Sequence, residues 1–241
     1  MTVLVPTMGA LHKGHQALIK RARELDKEVV VSIFVNPLQF TDAADLEKYP
    51  RTPETDIQIA TLAGATEVWF PNYDEIYPSE PTQISAGAVG ELYEGAARPG
   101  HFAGVLTVVN RLFEIVKPSA AVFGEKDFQQ LWLIKNYFRK LEIVAVPTVR
   151  EFDGLALSSR NIRLTQADRV AALIISKALK DPTRMHEILA TEPAFKLDYA
   201  EIIDEKTFQK AGATTQNKRA IIAGWVNGVR LLDNAVVESN S

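Results

Sequence analysis

Two of the chain's four histidines, His12 and His15, stand three residues apart in the segment Thr7-Met8-Gly9-Ala10-Leu11-His12-Lys13-Gly14-His15. Residues at that spacing share one face of a helix, so both imidazoles can serve one ligand from a first helical turn. A first turn also offers unpaired N–H groups and the positive end of the helix dipole, which suit an anion. The apolar run Val3–Pro6 precedes the segment and reads as a strand, and Gly14 lets a ligand approach the backbone closely. A lone histidine is more often a surface or capping residue. A pair placed directly after the first strand points instead to phosphate binding at a helix N-terminus.

Four further segments hold side chains of matching chemistry. Val29–Phe40 is a buried strand that runs into a polar turn, with Gln39 just past its end. A glutamine there can both donate and accept hydrogen bonds, as a hydroxy acid requires. Phe123-Gly124-Glu125-Lys126-Asp127-Phe128-Gln129-Gln130 follows another apolar run and opens a helix. Lys126 supplies a mobile point charge where a phosphate would meet the dipole, and Gln130 lies four residues on, on the same face. Ser158-Ser159-Arg160 in a glycine-led loop has the donors of a phosphate or ribose clamp, although it is also an acceptable turn. Glu94–Phe102 brings Arg98 and His101 close to a helix start, with a structural turn as the equal alternative. The charges of Asp45–Pro53 read as a solvated loop.

The elements that must position these groups follow from periodicity. Val3–Pro6, Val29–Val35, Glu67–Phe70, Ala120–Phe123 and Ile143–Val146 are short, Val- and Ile-rich runs typical of buried parallel strands. Between them the spacing turns helical. In Ala103–Lys117, Val105, Val108, Val109, Leu112 and Val116 share a face, and Pro118 closes the helix. Strands alternating with helices predict an α/β fold with a Rossmann-like parallel sheet. The pattern changes near residue 148. Thr165 is a suitable N-cap for a helix to Lys180, and the spacing loosens beyond Pro182. Leu197–Ile203, Arg219–Val226 and Val229–Leu232 read as strands, the last two joined by Asn227-Gly228, a type I′ hairpin signal. Two domains are expected: residues 1–148, and a smaller C-terminal α+β domain over 149–241.

Bulk properties narrow the partners. A net charge of -3 gives no support to nucleic acid or a membrane surface as the main partner, so an anionic ligand must be held by local basic groups. The absence of cysteine excludes disulfides, thiolate metal sites and cysteine nucleophiles, and fits a cytoplasmic protein. No targeting segment is visible at the start, and the longest apolar stretch is too short to span a bilayer.

H-x-G-H after a first strand resembles the signature of the nucleotidylyltransferase superfamily. The ordered set PTMGALHKGH, VSIFVNPLQF, YPRTP, EGAARPGHF, FGEKDFQQ and DGLALSSRN is far more specific and resembles the pantothenate synthetase family. The likeness runs from about Val3 to Arg163, and more thinly through Lys218–Asn234. It implies ATP-dependent condensation of pantoate with β-alanine through a pantoyl-adenylate, with Mg2+, in a homodimer. His12, His15 and Lys126 then take the catalytic roles at the ATP phosphates, and Gln39 and Gln130 hold pantoate. Ser158, Ser159 and Arg160 close on the triphosphate, Gly124 and Asp127 line the adenosine pocket, and Met8 flanks both ligands. Asp56 is placed near the magnesium. The C-terminal domain would be the lid. The sequence departs from the family in starting at the first strand, without the usual leading helical segment. It is also compressed around Tyr137–Ile143 and between Ser176 and Leu197. The alternatives are another H-x-G-H nucleotidylyltransferase and a silent nucleotide-binding module.

Overall fold

The computed structural model describes residues 1–238. The chain divides into two compact units, one of Met1–Glu125 with Gln129–Pro147, the other of Lys126–Phe128 with the described residues from Thr148 onward.

The first unit is built on β1 (Thr2–Thr7), α1 (Lys13–Leu25) and β2 (Glu28–Ile33). Next come α2 (Ala43–Glu47), α3 (Pro53–Ala63), β3 (Glu67–Trp69), α4 (Tyr73–Ile76), α5 (Glu94–Ala97) and α6 (His101–Val116). It closes with β4 (Ala120–Gly124), α7 (Phe128–Tyr137) and β5 (Glu142–Val146). Every strand pairing is parallel, in the order β3-β2-β1-β4-β5. The chain steps outward from β1 to β2 and β3, then returns to place β4 on the other flank of β1. This makes the carboxyl ends of β1 and β4 the topological switch point, the usual seat of a ligand in such sheets. The sheet interior is aliphatic: Val3, Val5, Val29, Val31 and Val122 pack with Ile19 and Ala22 of α1. All five expected strands are present. The second ends at Ile33 rather than Val35, because the chain turns there towards Asn36.

The second unit contains α8 (Gln166–Lys180), α9 (Met185–Leu189) and an antiparallel sheet β6 (Phe195–Asp204), β7 (Lys218–Val226) and β8 (Val229–Val237). Ala172, Ile175 and Ala178 of α8 pack with Ala220, Ile222 and Val226 of β7. Asn227 and Gly228 both adopt positive φ, as a type I′ hairpin requires. Two expectations need correcting. The loose spacing after Pro182 conceals α9, whose Met185 and Leu189 are buried four residues apart. The last strand continues five residues past Leu232, since β8 pairs with β7 along its whole length to Lys218↔Val237. Asp233 and Asn234 are polar residues buried inside that strand, and they break the alternation that would have marked it.

Thr165 is the N-cap of α8. Its hydroxyl accepts from the Asp168 N–H while the Asp168 carboxylate accepts from the Thr165 N–H, a reciprocal box. The Thr165 hydroxyl is also the main reason that the Asp168 carboxyl is held below the ordinary carboxylate value. Thr165→Ala is expected to lower stability by about 1 kcal/mol, read as a shifted unfolding midpoint by far-UV circular dichroism in urea.

Candidate active site

The loop after β1 is held from below by one buried carboxylate. Gly9 and Ala10 both take positive φ, of 86° and 49°. Asp56, on α3 and only 1% exposed, accepts the Ala10 N–H at 3.0 Å, the Leu11 N–H at 2.7 Å and the Thr52 hydroxyl at 3.1 Å. A Cβ on Gly9 would lie 3.0 Å from the same carboxylate and 3.1 Å from Ile33, so glycine is required there for space as well as for φ. At the other end of the loop the Thr7 hydroxyl donates to the Ser32 carbonyl and accepts the Gly9 N–H.

This loop delivers the histidines to the start of α1. His12 is the N-cap, and its Nδ1 accepts the Gly14 N–H at 3.1 Å. His15, three residues on, accepts the His12 N–H on its own Nδ1 at 3.2 Å, which closes a capping box made of two imidazoles. The rings lie 4.1 Å apart between centroids. An Nδ1 that accepts leaves the ring proton on Nε2, so both histidines carry an Nε2–H donor. The structure therefore places both on one face of the first turn, at the carboxyl end of the central strand.

Gln39 ends a short 3₁₀ turn (Pro37–Gln39) and is 7% exposed. Its amide orientation is set by a chain of hydrogen bonds. Tyr77 donates its phenolic hydrogen to Asn36 Oδ1 at 3.0 Å, and Asn36 Nδ2 donates to Gln39 Oε1 at 3.2 Å and to the Gly104 carbonyl at 3.1 Å. Gln39 Nε2 in turn donates to the Met8 sulfur at 3.1 Å. Asn36 Oδ1 also accepts the Leu38 N–H, so all four of its hydrogen-bonding positions are taken. Burial pushes the Tyr77 phenol well above the ordinary tyrosine value, which keeps it a donor.

The main chain of Gln39 is held as firmly. Its carbonyl accepts from His101 Nδ1 at 2.8 Å and from Arg98 at 3.3 Å. A carbonyl can only accept and a guanidinium can only donate, so His101 carries its proton on Nδ1 and takes Arg98 Nη1 on Nε2. Arg98 pairs with buried Glu94 at 3.4 Å. The Glu94–Phe102 segment, left open between a turn and a functional group, contains α5 and supports Gln39. Gln129 anchors the preceding loop by accepting the Glu94 N–H and donating to the Val89 and Leu92 carbonyls. Asn36, Tyr77, Gly104 and Gln129 were not singled out in the sequence. Each acts through its partners, and polar composition alone does not mark such a residue.

The other expected residues lie as follows. Gly124 ends β4, and a Cβ there would meet only Leu18 at 3.8 Å. Gln130 is half-buried on α7. Lys126 and Asp127 belong to the second unit, where Lys126 Nζ pairs with the Asp127 carboxylate at 3.3 Å. Ser158 caps a 3₁₀ turn over Ser159–Arg163, its Oγ accepting the Arg160 N–H at 3.2 Å. Among the described residues no group of three or more His, Cys, Asp or Glu could hold a metal ion. The Asp56 oxygens carry two main-chain N–H groups and a hydroxyl. That donor set is suited to shaping a loop.

A Rossmann-like sheet with paired imidazole donors at its switch point defines an α/β protein fitted for a phosphate-bearing ligand. Residues 1–236 match the Pantoate-beta-alanine ligase family, and the chain belongs to that family; it is an enzyme of the ligase class. It is 47% identical to the pantothenate synthetase of Saccharopolyspora erythraea over 97% of its own length and 83% of that protein's. A crystal structure of the pantothenate synthetase from Thermus thermophilus matches with a TM-score of 0.92 at 42% identity, over 97% of this chain and 92% of that one. A pantoate-beta-alanine ligase from Francisella tularensis, crystallised with beta-gamma ATP and beta-alanine, matches with a TM-score of 0.82 at 37% identity, over 98% and 89%.

Gly104, on α6, lies directly against the Gln39 turn. A Cβ there would fall 2.3 Å from the Leu38 carbonyl oxygen and 2.7 Å from the Gln39 nitrogen. Gly104→Ala is expected to cost about 1–3 kcal/mol through overpacking. Faster amide hydrogen exchange at Leu38–Phe40 in that variant, with α8 unchanged, would locate the damage in the turn.

Proposed function

We propose that this chain joins pantoate to β-alanine in two half-reactions through a pantoyl-adenylate. The observation that carries the reading is the histidine capping box, which presents two Nε2–H donors at the carboxyl end of β1 in a chain of the pantoate–β-alanine ligase family. In the first half-reaction a pantoate carboxylate oxygen bonds to the α-phosphorus of ATP, and the bond to pyrophosphate breaks. Charge accumulates on the phosphoryl oxygens, where fixed donors lower the barrier with no protein nucleophile required. His12, His15 and Lys126 take that role, and Ser158, Ser159 and Arg160 hold the triphosphate. In the second half-reaction the β-alanine amine attacks the acyl carbonyl, loses a proton, and AMP leaves.

Gln39 suits pantoate recognition because Asn36 occupies its Oε1 and so orients its Nε2–H donors; Gln130 is the second glutamine of this reading. Gly124 and Asp127 serve the adenosine, and Met8 flanks both ligands. Magnesium enters as part of the MgATP substrate. It typically keeps waters and phosphate oxygens rather than an all-protein cage. The smaller unit serves as the lid that keeps water from the adenylate. A homodimer in the cytoplasm completes the proposal.

The test is ATP–pyrophosphate exchange with each substrate omitted in turn. Pantoate alone should support exchange, and AMP should accumulate only when β-alanine is added. Exchange that ignores pantoate would assign the chain to another adenylyl-transfer reaction, and ATP binding without any exchange would make it a silent module. His15→Ala should lower exchange by at least roughly 100-fold. Its loss of stability should not exceed the value of one capping contact, about 1 kcal/mol, in a parallel thermal melt.

A further inference from the structure

The segment Lys126–Phe128 runs from the turn after β4 into the first residue of α7, yet it packs as part of the second unit. Its attachment there is specific. Asn234, in the middle of β8 and 4% exposed, donates from Nδ2 to the Lys126 carbonyl at 2.9 Å across 108 residues of chain. The amide cannot be turned round, because its Oδ1 accepts from Arg219 Nη1, and a guanidinium has only donors. Arg219, itself 6% exposed, is fixed by Glu205 and lies with its guanidinium carbon 3.9 Å from the centre of the Phe128 ring. Phe128 also stacks on Phe208, which is fully buried. Beside Asn234, Arg150 grips both oxygens of Asp233 and the Asn234 carbonyl. The Asn234 N–H closes on Asp233 at 2.8 Å.

We infer that Asn234, oriented by Arg219, is a positioning residue for Lys126. It holds the peptide plane that aims the lysine side chain at the nucleotide phosphates. The physical basis is the placement of the hydrogen bond. A bond to the Lys126 carbonyl fixes the peptide plane next to the Lys126 Cα. The Phe128 ring, in contact with Arg219 and stacked on Phe208, fixes the main chain two residues further on. Two anchors spanning three residues leave the Lys126 Cα–Cβ vector little freedom, so the ammonium searches only its own four-carbon stem. The inference rests on Lys126 serving the triphosphate.

Asn234→Asp is the informative substitution. It keeps the size of the side chain and an acceptor for Arg219 but replaces the donor to the Lys126 carbonyl with a second oxygen. MgATP affinity measured by titration calorimetry, and pantoate-dependent ATP–pyrophosphate exchange, are each expected to fall on the order of ten-fold, the equivalent of one ordinary hydrogen bond. The KM for pantoate should be unchanged. The same substitution in a Lys126→Ala background should weaken MgATP no further, because the anchor acts only through the lysine. Asn234→Ala, which removes the donor without adding charge, covers the case in which the aspartate variant does not fold, and thermal melts of all variants report that directly. An equal loss of MgATP affinity with and without Lys126, or a folded Asn234 variant with full affinity, would overturn the inference. If the unsubstituted protein shows no pantoate-dependent exchange, the proposed reaction fails instead, and the MgATP affinities still decide whether Asn234 acts through Lys126.

Discussion

A carboxylate shut away from water is tolerated only when its lone pairs are taken by donors, since the bare charge would otherwise be neutralised or expelled. Asp56 meets that condition with two main-chain N–H groups and one hydroxyl, and much of the first unit's chemistry follows from it. The two N–H groups belong to the loop between β1 and α1, in which Gly9 and Ala10 take left-handed conformations that are costly for alanine. The carboxylate compensates for that strain, and the strain in turn brings His12 to the N-cap. From there the pattern of the helix end places His15 against His12, and the two rings complete each other's caps. The two capping contacts, at the end of the loop that Asp56 holds, then set which nitrogen of each imidazole carries the proton.

The same requirement recurs wherever a polar side chain is buried. Asn36 satisfies all four of its hydrogen-bonding positions, and its partners leave Gln39 a single amide orientation. His101 and Arg98 hold the Gln39 carbonyl with one tautomer and one guanidinium. In the second unit, burial pushes the Asp233 carboxyl upward while Arg150 opposes that shift by gripping both oxygens. Such networks are worth their desolvation only when complete, and once complete they are stiff. Stiffness suits chemistry that depends on donors waiting in the right place.

Much of this architecture was legible in the sequence. Periodicity located all five parallel strands, because each is a short apolar run bounded by helical spacing, with β2 and β4 buried through most of their length and β1 over Val3–Val5. Thr165 and Asn227-Gly228 were readable because caps and tight turns are local, decided by one or two residues. What escaped was non-local. The end of β8 was hidden by Asp233 and Asn234, whose burial makes sense only beside Arg150 and Arg219. Tyr77 and Gly104 matter to Gln39 from 38 and 65 positions away in sequence, and neither type announces such a role. The segment around Arg98 and His101 reads equally as a turn or a functional group, and only the position of the Gln39 carbonyl shows that both side chains hold the main chain there.

The division between local and distant information has a mechanistic reason. The proposed adenylation needs no protein nucleophile, so its rate would depend on how well donors are oriented before charge develops. The donors assigned to it in the proposal are ordinary: two imidazoles, a lysine, two glutamines. They sit in short motifs at the ends of β1, β2 and β4, where a parallel sheet delivers its loops. With a net charge of -3, the chain supplies no broad positive field to substitute for their placement. Orientation must therefore come from elsewhere in the fold: from α3 for His12 and His15, from Asn36 and Tyr77 for Gln39, and from β8 for the backbone of Lys126. Each supporting residue pins a donor by its one remaining degree of freedom, a tautomer, an amide flip or a peptide plane. A substitution in that support leaves the motif intact to the eye and removes what makes it competent.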